Sequence, residues 1–394
     1  MISLQDAIAI VQQSISPMES EAVPLGQANG RILSAPVVAM RTQPPFNASA
    51  MDGYAVRSAD LADGIQNFEL AGESAAGHRA PTALEAAQAM RISTGAPLPE
   101  GADQVVIQEN SQRQGGHVRL EDTARPGANV RKAGIDFAEG DRLIAAGQRI
   151  TPDAIALMAS AGVEVVSVIA RPRIGIVSTG DELVEMGEEA GPDQIINSIA
   201  PALVAHVAGW GGEPVYLGIA RDNRENTEAR LALARDFDIL VTIGGASVGD
   251  HDHLRPAFET LGGQFRFEKI AVKPGKPTWF GCLGDTWCIG LPGNPVSALV
   301  MARLILRTAI QACLGQAHEL VFQTAAAGTE LAANGSRETF VRAVEDRRTG
   351  RVRPLDNQDS SAQSALASST CLIRRPANAP PLAAGERVEI LRLD

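Results

Sequence analysis

The 394-residue chain is short of several things at once. It holds four cysteines, Cys282, Cys288, Cys313 and Cys371. None forms a Cys-x-x-Cys pair, and no histidine stands at a zinc-like spacing from them, so the pattern offers neither a zinc site nor a redox dithiol. Idle or buried thiols in a reducing compartment are the expectation. Positive charge is also in deficit. Lys and Arg number 35 against 46 Asp and Glu, for a formal net charge of −11. That argues against broad nucleic-acid binding, which needs a basic face, and against docking on an anionic membrane. No run of apolar residues reaches the roughly 20 that span a bilayer. The opening Met1-Ile2-Ser3-Leu4-Gln5-Asp6 lacks the basic start and apolar core of a signal peptide and reads instead as a cytoplasmic helix, with Ser3 as cap and Asp6 three residues on. The run Gly244-Gly245-Ala246-Ser247-Val248-Gly249 lacks the Gly-Lys-Ser/Thr ending of a Walker A loop and does not fit the dinucleotide fingerprint.

What is present is ample core and an alternating pattern. Apolar residues make up 45% of the chain, and its length suits about two to three domains of roughly 150 residues. Residues 1–168 mix a helix with short strands broken by Gly and Pro, as in Gln104-Val105-Val106-Ile107. This predicts a β-rich region of two sub-domains, the inserted one at about 46–136. Thr151-Pro152-Asp153-Ala154 opens a helix with a cap and a first-turn proline. Residues 169–316 alternate strands (174–178, 214–219, 239–243, 265–271, 287–291) with helices (198–209, 224–235, 252–261, 295–314). Such alternation predicts a doubly wound, mostly parallel α/β domain. Residues 317–394 return to short strands and predict a small β domain or barrel.

In a parallel sheet ligands bind beyond the carboxyl ends of the strands. Five polar or Gly-rich loops are expected there: 178–182, 220–223, 244–252, 273–277 and 292–297. Lys269, Lys273 and Lys276 surround a Pro-Gly turn, and Asn294-Pro295 opens a helix. Asn is a good N-cap, proline suits the first helical position, and a helix start favours anions. Together they point to a phosphate-bearing small molecule. Asp181, Glu182, Asp222, Asp250 and Asp252 fall on the same loops, supplying the hard oxygens that Mg²⁺ prefers. Each carboxylate has a plainer reading as a cap or a solvated charge. The lysines have a plainer reading as exposed residues of a hairpin-like turn; the Gly-rich loop alone is a tight turn; His251 and His253 are read as loop histidines open to water.

These segments resemble the molybdopterin molybdenumtransferase family, the bacterial MoeA proteins and the gephyrin E domain. The resemblance rests on Ser49-Ala50-Met51-Asp52-Gly53-Tyr54-Ala55, Thr94-Gly95-Ala96-Pro97-Leu98-Pro99-Glu100-Gly101-Ala102-Asp103, Ser178-Thr179-Gly180-Asp181-Glu182-Leu183, Gly244–Gly249, Lys273-Pro274-Gly275-Lys276-Pro277 and Leu291-Pro292-Gly293-Asn294-Pro295-Val296-Ser297. They occur in family order over almost the whole chain. The resemblance implies a transferase of molybdenum cofactor synthesis: adenylylated molybdopterin binds with Mg²⁺ and molybdate, AMP is released, and molybdenum enters the dithiolene. It implies an α/β domain like the molybdopterin adenylyltransferase, an elongated N-terminal β-rich region, a C-terminal β-barrel, and a homodimer with a cleft shared between subunits. That adenylyltransferase is a further implied partner.

By resemblance the functional acids are Asp52, Asp136, Glu182, Asp222 and Asp252, with Glu182, Asp222 and Asp252 as the Mg²⁺ set. Substrate-binding positions are Thr94, Arg131, Ser178, Thr179, Gly180, Asp181, Gly244, Gly245, Ser247, Gly249, Lys269, Lys273, Lys276, Pro292, Asn294 and Ser297. Asp52 and Thr94 lie far from the α/β domain in sequence and act only if another subunit brings them to the cleft. The chain departs from the family pattern at Phe46-Asn47-Ala48-Ser49, at Ala246, and most of all at Gly335–Arg342 and Asp359–Ser364. Arg337, Arg342 and Ser360 are therefore not assigned as molybdate contacts. Two rival readings remain at this point: a scaffold on the same fold, and an adenylyltransferase-like enzyme.

Overall fold

Strand after helix after strand beyond residue 170 builds one open sheet. The computed structural model describes residues 1–245, 253–317, 319–346 and 348–393. They form two units, residues 1–21 with 169–394, and residues 22–168.

The first unit begins with α1 (Leu4–Ser14), whose cap is Ser3: its Oγ accepts from the Asp6 N–H at 3.0 Å. The sheet follows as β1 (Arg173–Thr179), α2 (Ile199–Trp210), β2 (Glu213–Ala220), α3 (Arg224–Leu231), β3 (Ile239–Ile243), α4 (Leu254–Thr260), β4 (Gln264–Phe267), β5 (Val272–Lys273), β6 (Trp279–Leu283), β7 (Thr286–Leu291) and α5 (Pro295–Cys313). Strand order is β2-β1-β3-β7-β6-β4. The first four strands are parallel, in register Ile174↔Ile239 and Ile239↔Trp287, and β6 and β4 run antiparallel at one edge. β1 is flanked by the strands that follow it, one on each side, so the chain reverses direction across the sheet there. That is the switch point where such sheets open a crevice.

Side chains on one face pack into a core of Val177, Leu240, Leu254, Ala257, Phe258 and Trp279. Rings of Phe258, Phe265 and Trp279 meet at centroid distances of 4.8 to 5.2 Å in tilted or edge-on pairs, the geometries that ring quadrupoles favour. Helix α5 corrects one expectation. Over 19 residues it is apolar and long enough to cross a membrane by length and composition. Yet 83% of that stretch is buried inside the protein, so its apolarity serves the core.

Two further strand expectations change. The strand expected over 265–271 ends at Phe267 and pairs antiparallel with β6, which the pattern did not reveal. Short β5 leaves the α/β sheet altogether and pairs parallel with the barrel, Val272↔Glu338 and Lys273↔Thr339. The barrel is β8 (Gln323–Ala327), β9 (Glu338–Asp346), β10 (Arg351–Pro354), β11 (Cys371–Arg375) and β12 (Arg387–Arg392). It runs β9-β10-β8-β12-β11 and closes by the β11–β9 pairing. Closure leaves no free strand edge.

The second unit has three cores, the smallest around Ala55, Ile92, Ala96 and Val105. One gathers Val23, Leu33, Val37, Phe137, Ile150 and Met158. Helix Pro152–Ser160 belongs to it and is capped by Thr151, whose Oγ1 accepts from the Ala154 N–H. Another core joins Tyr54, Val56, Phe68, Val106 and Val118 under a six-stranded sheet that includes Gly53–Val56, Asn67–Ser74, Gln88–Ile92 and Gln104–Ile107. None of the four cysteines forms a disulfide, and burial pushes the thiols of Cys288 and Cys313 up to about 12.

Candidate functional site

A cavity of about 790 Å³ opens beyond the carboxyl ends of β1, β2, β3 and β7. Its wall includes Thr179, Gly180 and Glu182 after β1, Asp222 after β2, Gly244 and Gly245 after β3, and Pro292 and Asn294 after β7. All five expected loops thus reach its wall, the 273–277 loop through Pro277.

Local chemistry fixes each acid. Gly180 adopts φ +148°, and a Cβ there would stand 2.5 Å from the Glu182 carboxyl. Glycine therefore lets Glu182 fold back over its own turn. Arg221 braces the loop by donating Nη1 to the carbonyls of Asp181 and Leu183 at 3.2 and 3.1 Å. The Asp222 N–H donates to Asp181 Oδ1 at 3.1 Å. Capping of α3 falls to Asn223, whose Oδ1 accepts from the Asn226 N–H at 2.8 Å. The plainer reading of Asp222 as the helix cap is thereby set aside, and Asp222 lines the cavity.

The start of α5 differs from expectation. Asn294 stands at the N-cap but makes no capping hydrogen bond. Its Nδ2 donates to Ser360 Oγ at 3.0 Å, and the Val296 N–H donates to the Ser360 carbonyl at 3.0 Å. The barrel loop thus supplies the acceptor that the Asn side chain would have supplied. Pro295 has no N–H, so one of the expected anion donors is absent and the next is taken. Ser297 is buried within α5, and Ser178 is buried too. Neither lines the cavity.

The lysine turn also departs from the reading of it as a carboxyl-edge loop. It follows β5 and hangs on the barrel pairing, so Pro277 reaches the cavity wall while Lys269, Lys273 and Lys276 are not part of that wall. Lys273 and Lys276 are exposed and Lys269 half-buried. Arg337 supports the turn, donating Nη1 to the Val272 carbonyl at 3.3 Å. Arg342 is 1% exposed and reaches the carbonyls of Asn357 and Asp359 at 3.4 and 3.2 Å, holding the loop that bears Ser360.

In the second unit Asp52 and Thr94 pair directly. The Thr94 N–H donates to Asp52 Oδ1 at 2.7 Å. That bond, then the Thr94 side chain, holds the Asp52 carboxyl below the usual carboxylate range, with Arg91 adding to it. Arg131 lies on a short strand, Val130–Arg131, paired with Ala48–Ser49. Asp136 donates its backbone N–H to the Gln43 carbonyl at 3.2 Å, leaving an exposed side chain. Ser247, Gly249, Asp250, His251 and Asp252 lie outside the described residues. Among the described residues no group of three or more His, Cys, Asp or Glu is arranged to hold a metal ion.

Sequence reasoning missed several wall residues. Ser361 and Gln363 come from the barrel, and Gln363 Nε2 donates to Ser198 Oγ at 2.8 Å. Asn197 also lines the cavity. No local pattern marks these positions, because only tertiary contact brings them there.

Comparison with known proteins is consistent along the whole chain. Residues 2–162 match the MoeA N-terminal region (domain I and II), 175–312 a probable molybdopterin binding domain, and 324–393 the MoeA C-terminal region (domain IV). A molybdopterin molybdenumtransferase of Bacillus subtilis is 32% identical over 402 residues, covering 99% of this chain and 94% of that one. The Haemophilus influenzae molybdopterin molybdenumtransferase is 36% identical over 319 residues, covering 80% and 78%. A crystal structure of the molybdopterin biosynthesis moea protein from Pyrococcus horikosii superposes with a TM-score of 0.86 at 30% identity, covering 100% of this chain and 99% of that one.

Proposed function

The chain belongs to the molybdopterin molybdenumtransferase family, and from that premise we propose that it inserts molybdenum from molybdate into adenylylated molybdopterin with release of AMP. The observation that carries this reading is the convergence of Glu182 and Asp222 on one cavity at the sheet's switch point. A nucleotide-bearing pterin needs a crevice of this size, close backbone approach at Gly244 and Gly245, and carboxylates beside the phosphoanhydride. The carboxylates position the water that cleaves the phosphoanhydride and accept its proton, so that AMP departs.

Mg²⁺ fits the chemistry of the donor set. Two hard carboxylates, completed by water and phosphate oxygens, are what this ion takes. Glu182 and Asp222 would hold it, with Asp252 as the third acid; when bound, the ion neutralises charge on the phosphate oxygens. Lys269, Lys273 and Lys276, with Ser297, are assigned to the oxyanion side, where Lys serves as a point charge. Thr179, Gly180, Asp181, Pro292 and Asn294 are assigned to the pterin and phosphates, together with Ser178 behind them. Ser247 and Gly249 carry the same assignment.

Asp52, Thr94, Arg131 and Asp136 are assigned to the same reaction from the second subunit of a homodimer. We further infer a cytoplasmic enzyme, receiving its substrate from a molybdopterin adenylyltransferase, and a division at 1–168, 169–316 and 317–394. The scaffold reading is not favoured, because all five acids are retained and relatives named for the transferase match over nearly the full chain. The adenylyltransferase-like reading leaves the N- and C-terminal regions without a role.

The test supplies adenylylated molybdopterin, Mg²⁺ and molybdate and follows AMP release and active cofactor. Glu182→Ala or Asp222→Ala is expected to lower turnover by at least about a hundredfold with an unchanged circular dichroism spectrum. Wild-type rates in both variants remove these acids from the mechanism. Lys276→Ala is expected to shift the molybdate titration to higher concentration, and an unshifted curve removes that lysine. Sedimentation should give twice the chain mass, and mixing Asp52→Asn with Glu182→Ala subunits should restore part of the activity.

A further inference from the structure

A chain of hydrogen bonds, buried at one end and half-exposed at the other, runs behind the cavity. Ser178 Oγ donates to Asn197 Oδ1 at 3.2 Å. Asn197 Nδ2 donates to the Tyr216 hydroxyl at 2.7 Å. Tyr216 in turn donates to Glu185 Oε1 at 2.7 Å. Each donor points the same way, from the end of β1 toward a carboxylate, so the bonds polarise one another and strengthen in a low-dielectric setting. Ser178 is fully buried and Asn197 is 4% exposed. Asn197 is also a wall residue of the cavity, beside Ser198.

The backbone is shaped to make this chain possible. β2 carries an irregularity opposite β1: Ile176 pairs with Tyr216, yet Ser178 pairs with Ile219. One extra residue sits on β2, and Gly218 takes φ +85° within the bulge. A bulge re-aims neighbouring side chains, and Tyr216 lies at its edge.

Glu185 closes the other end. It follows the short strand Leu183–Val184, which pairs parallel with Ile195–Ile196. That pair is tied by the Ile195 N–H to the Glu182 carbonyl at 2.8 Å and by the Asn197 N–H to the Val184 carbonyl at 2.9 Å. The backbone carrying Glu182 is therefore held at two places, by Arg221 from β2's end and by this relay from β2's middle.

We propose that Tyr216 and Glu185 are positioning residues for the reaction, fixing the carboxamide of Asn197 in the cavity wall and the loop that presents Glu182. This rests on the functional reading above. Tyr216 touches no substrate; it acts by where it holds Asn197 and Glu185. Burial, then the bond to Glu185, also raises the Tyr216 phenol above its ordinary value. The hydroxyl thus stays a donor through neutral pH.

The experiment measures AMP release and the molybdate KM for wild type, Tyr216→Phe, Glu185→Ala and the double variant. Each single variant is expected to lower kcat about tenfold with the molybdate KM unchanged, and the double variant to lose no more than either single, since both cut one link. Glu185→Gln keeps an acceptor for the Tyr216 hydroxyl and is expected to restore most of kcat. Unchanged kcat in the singles, multiplied losses in the double, or a raised KM at constant kcat each overturn the proposal. Glu185 is half-exposed, so its variants decide the matter even if Tyr216→Phe folds poorly. No AMP release from wild type sinks the functional reading instead; normal wild-type turnover with unaffected variants sinks only the relay.

Discussion

At the scale of single residues, neighbours in sequence have taken different work. Asn223 caps α3 while Asp222, one residue earlier, faces the cavity. Asn223→Ala should therefore cost about 1 kcal/mol of stability, read as a lower urea midpoint. Asp222→Ala should leave that midpoint within about 0.5 kcal/mol while abolishing AMP release. Gly275 is a second case. It takes φ +107°, and a Cβ there would overlap Met301 of α5. Gly275→Ala combines an unfavourable backbone conformation with overpacking and should cost about 2 to 4 kcal/mol. A urea midpoint equal to wild type would show that the turn relaxes freely.

At the scale of elements, the junction of α5 with the barrel is the informative place. The sequence Asn294-Pro295 has the form of a helix start, and the helix does start there. The form does not say that the cap comes from Ser360. Asn294→Ala should thus cost about 1 kcal/mol by losing a hydrogen bond to the barrel, not by uncapping the helix. Combined with Ser360→Ala it should cost no more than either change alone, because both remove one bond. Additive losses in denaturation would mean that Asn294 caps after all. The same junction explains why the lysine turn was misplaced. The strand expected over 265–271 stops at Phe267, which pairs within the α/β sheet, while Val272 pairs within the barrel. Strand pairing is a long-range choice that a local apolar pattern leaves open.

At the scale of the whole molecule, pH should act through a half-buried histidine. His206 stacks on Trp210 of α2 at 4.9 Å. Burial first, then Arg303 and Arg307, lower it from 6.5 to about 4. Between those values the unfolded chain binds a proton that the folded chain does not. Stability should be full above about pH 6.5 and fall as pH drops toward 4. His206→Asn should flatten that part of the curve, as followed by thermal melts across the window. An unchanged slope would assign the acid sensitivity to other groups.

Much was legible in the order of residues alone. Alternation of short apolar runs with capped helices sufficed for the doubly wound sheet, since periodicity reports which face of each element is buried. Loops after parallel strands located Glu182, Asp222, Gly244 and Asn294, since topology puts those strand ends at one edge. The transfer of β5 to the barrel, the burial of Ser178 and Ser297, and the places of Asn197, Tyr216 and Ser361 were not legible. Each depends on which distant segments pack together, and that is set by the collective burial of apolar surface and by pairing of backbone groups far apart in the chain. The sequence by itself determined the elements, the acids on their loops and the family. Tertiary structure alone decided which of those groups share a cavity, because hydrogen bonds such as Asn294 to Ser360 join residues whose separation along the chain carries no signal.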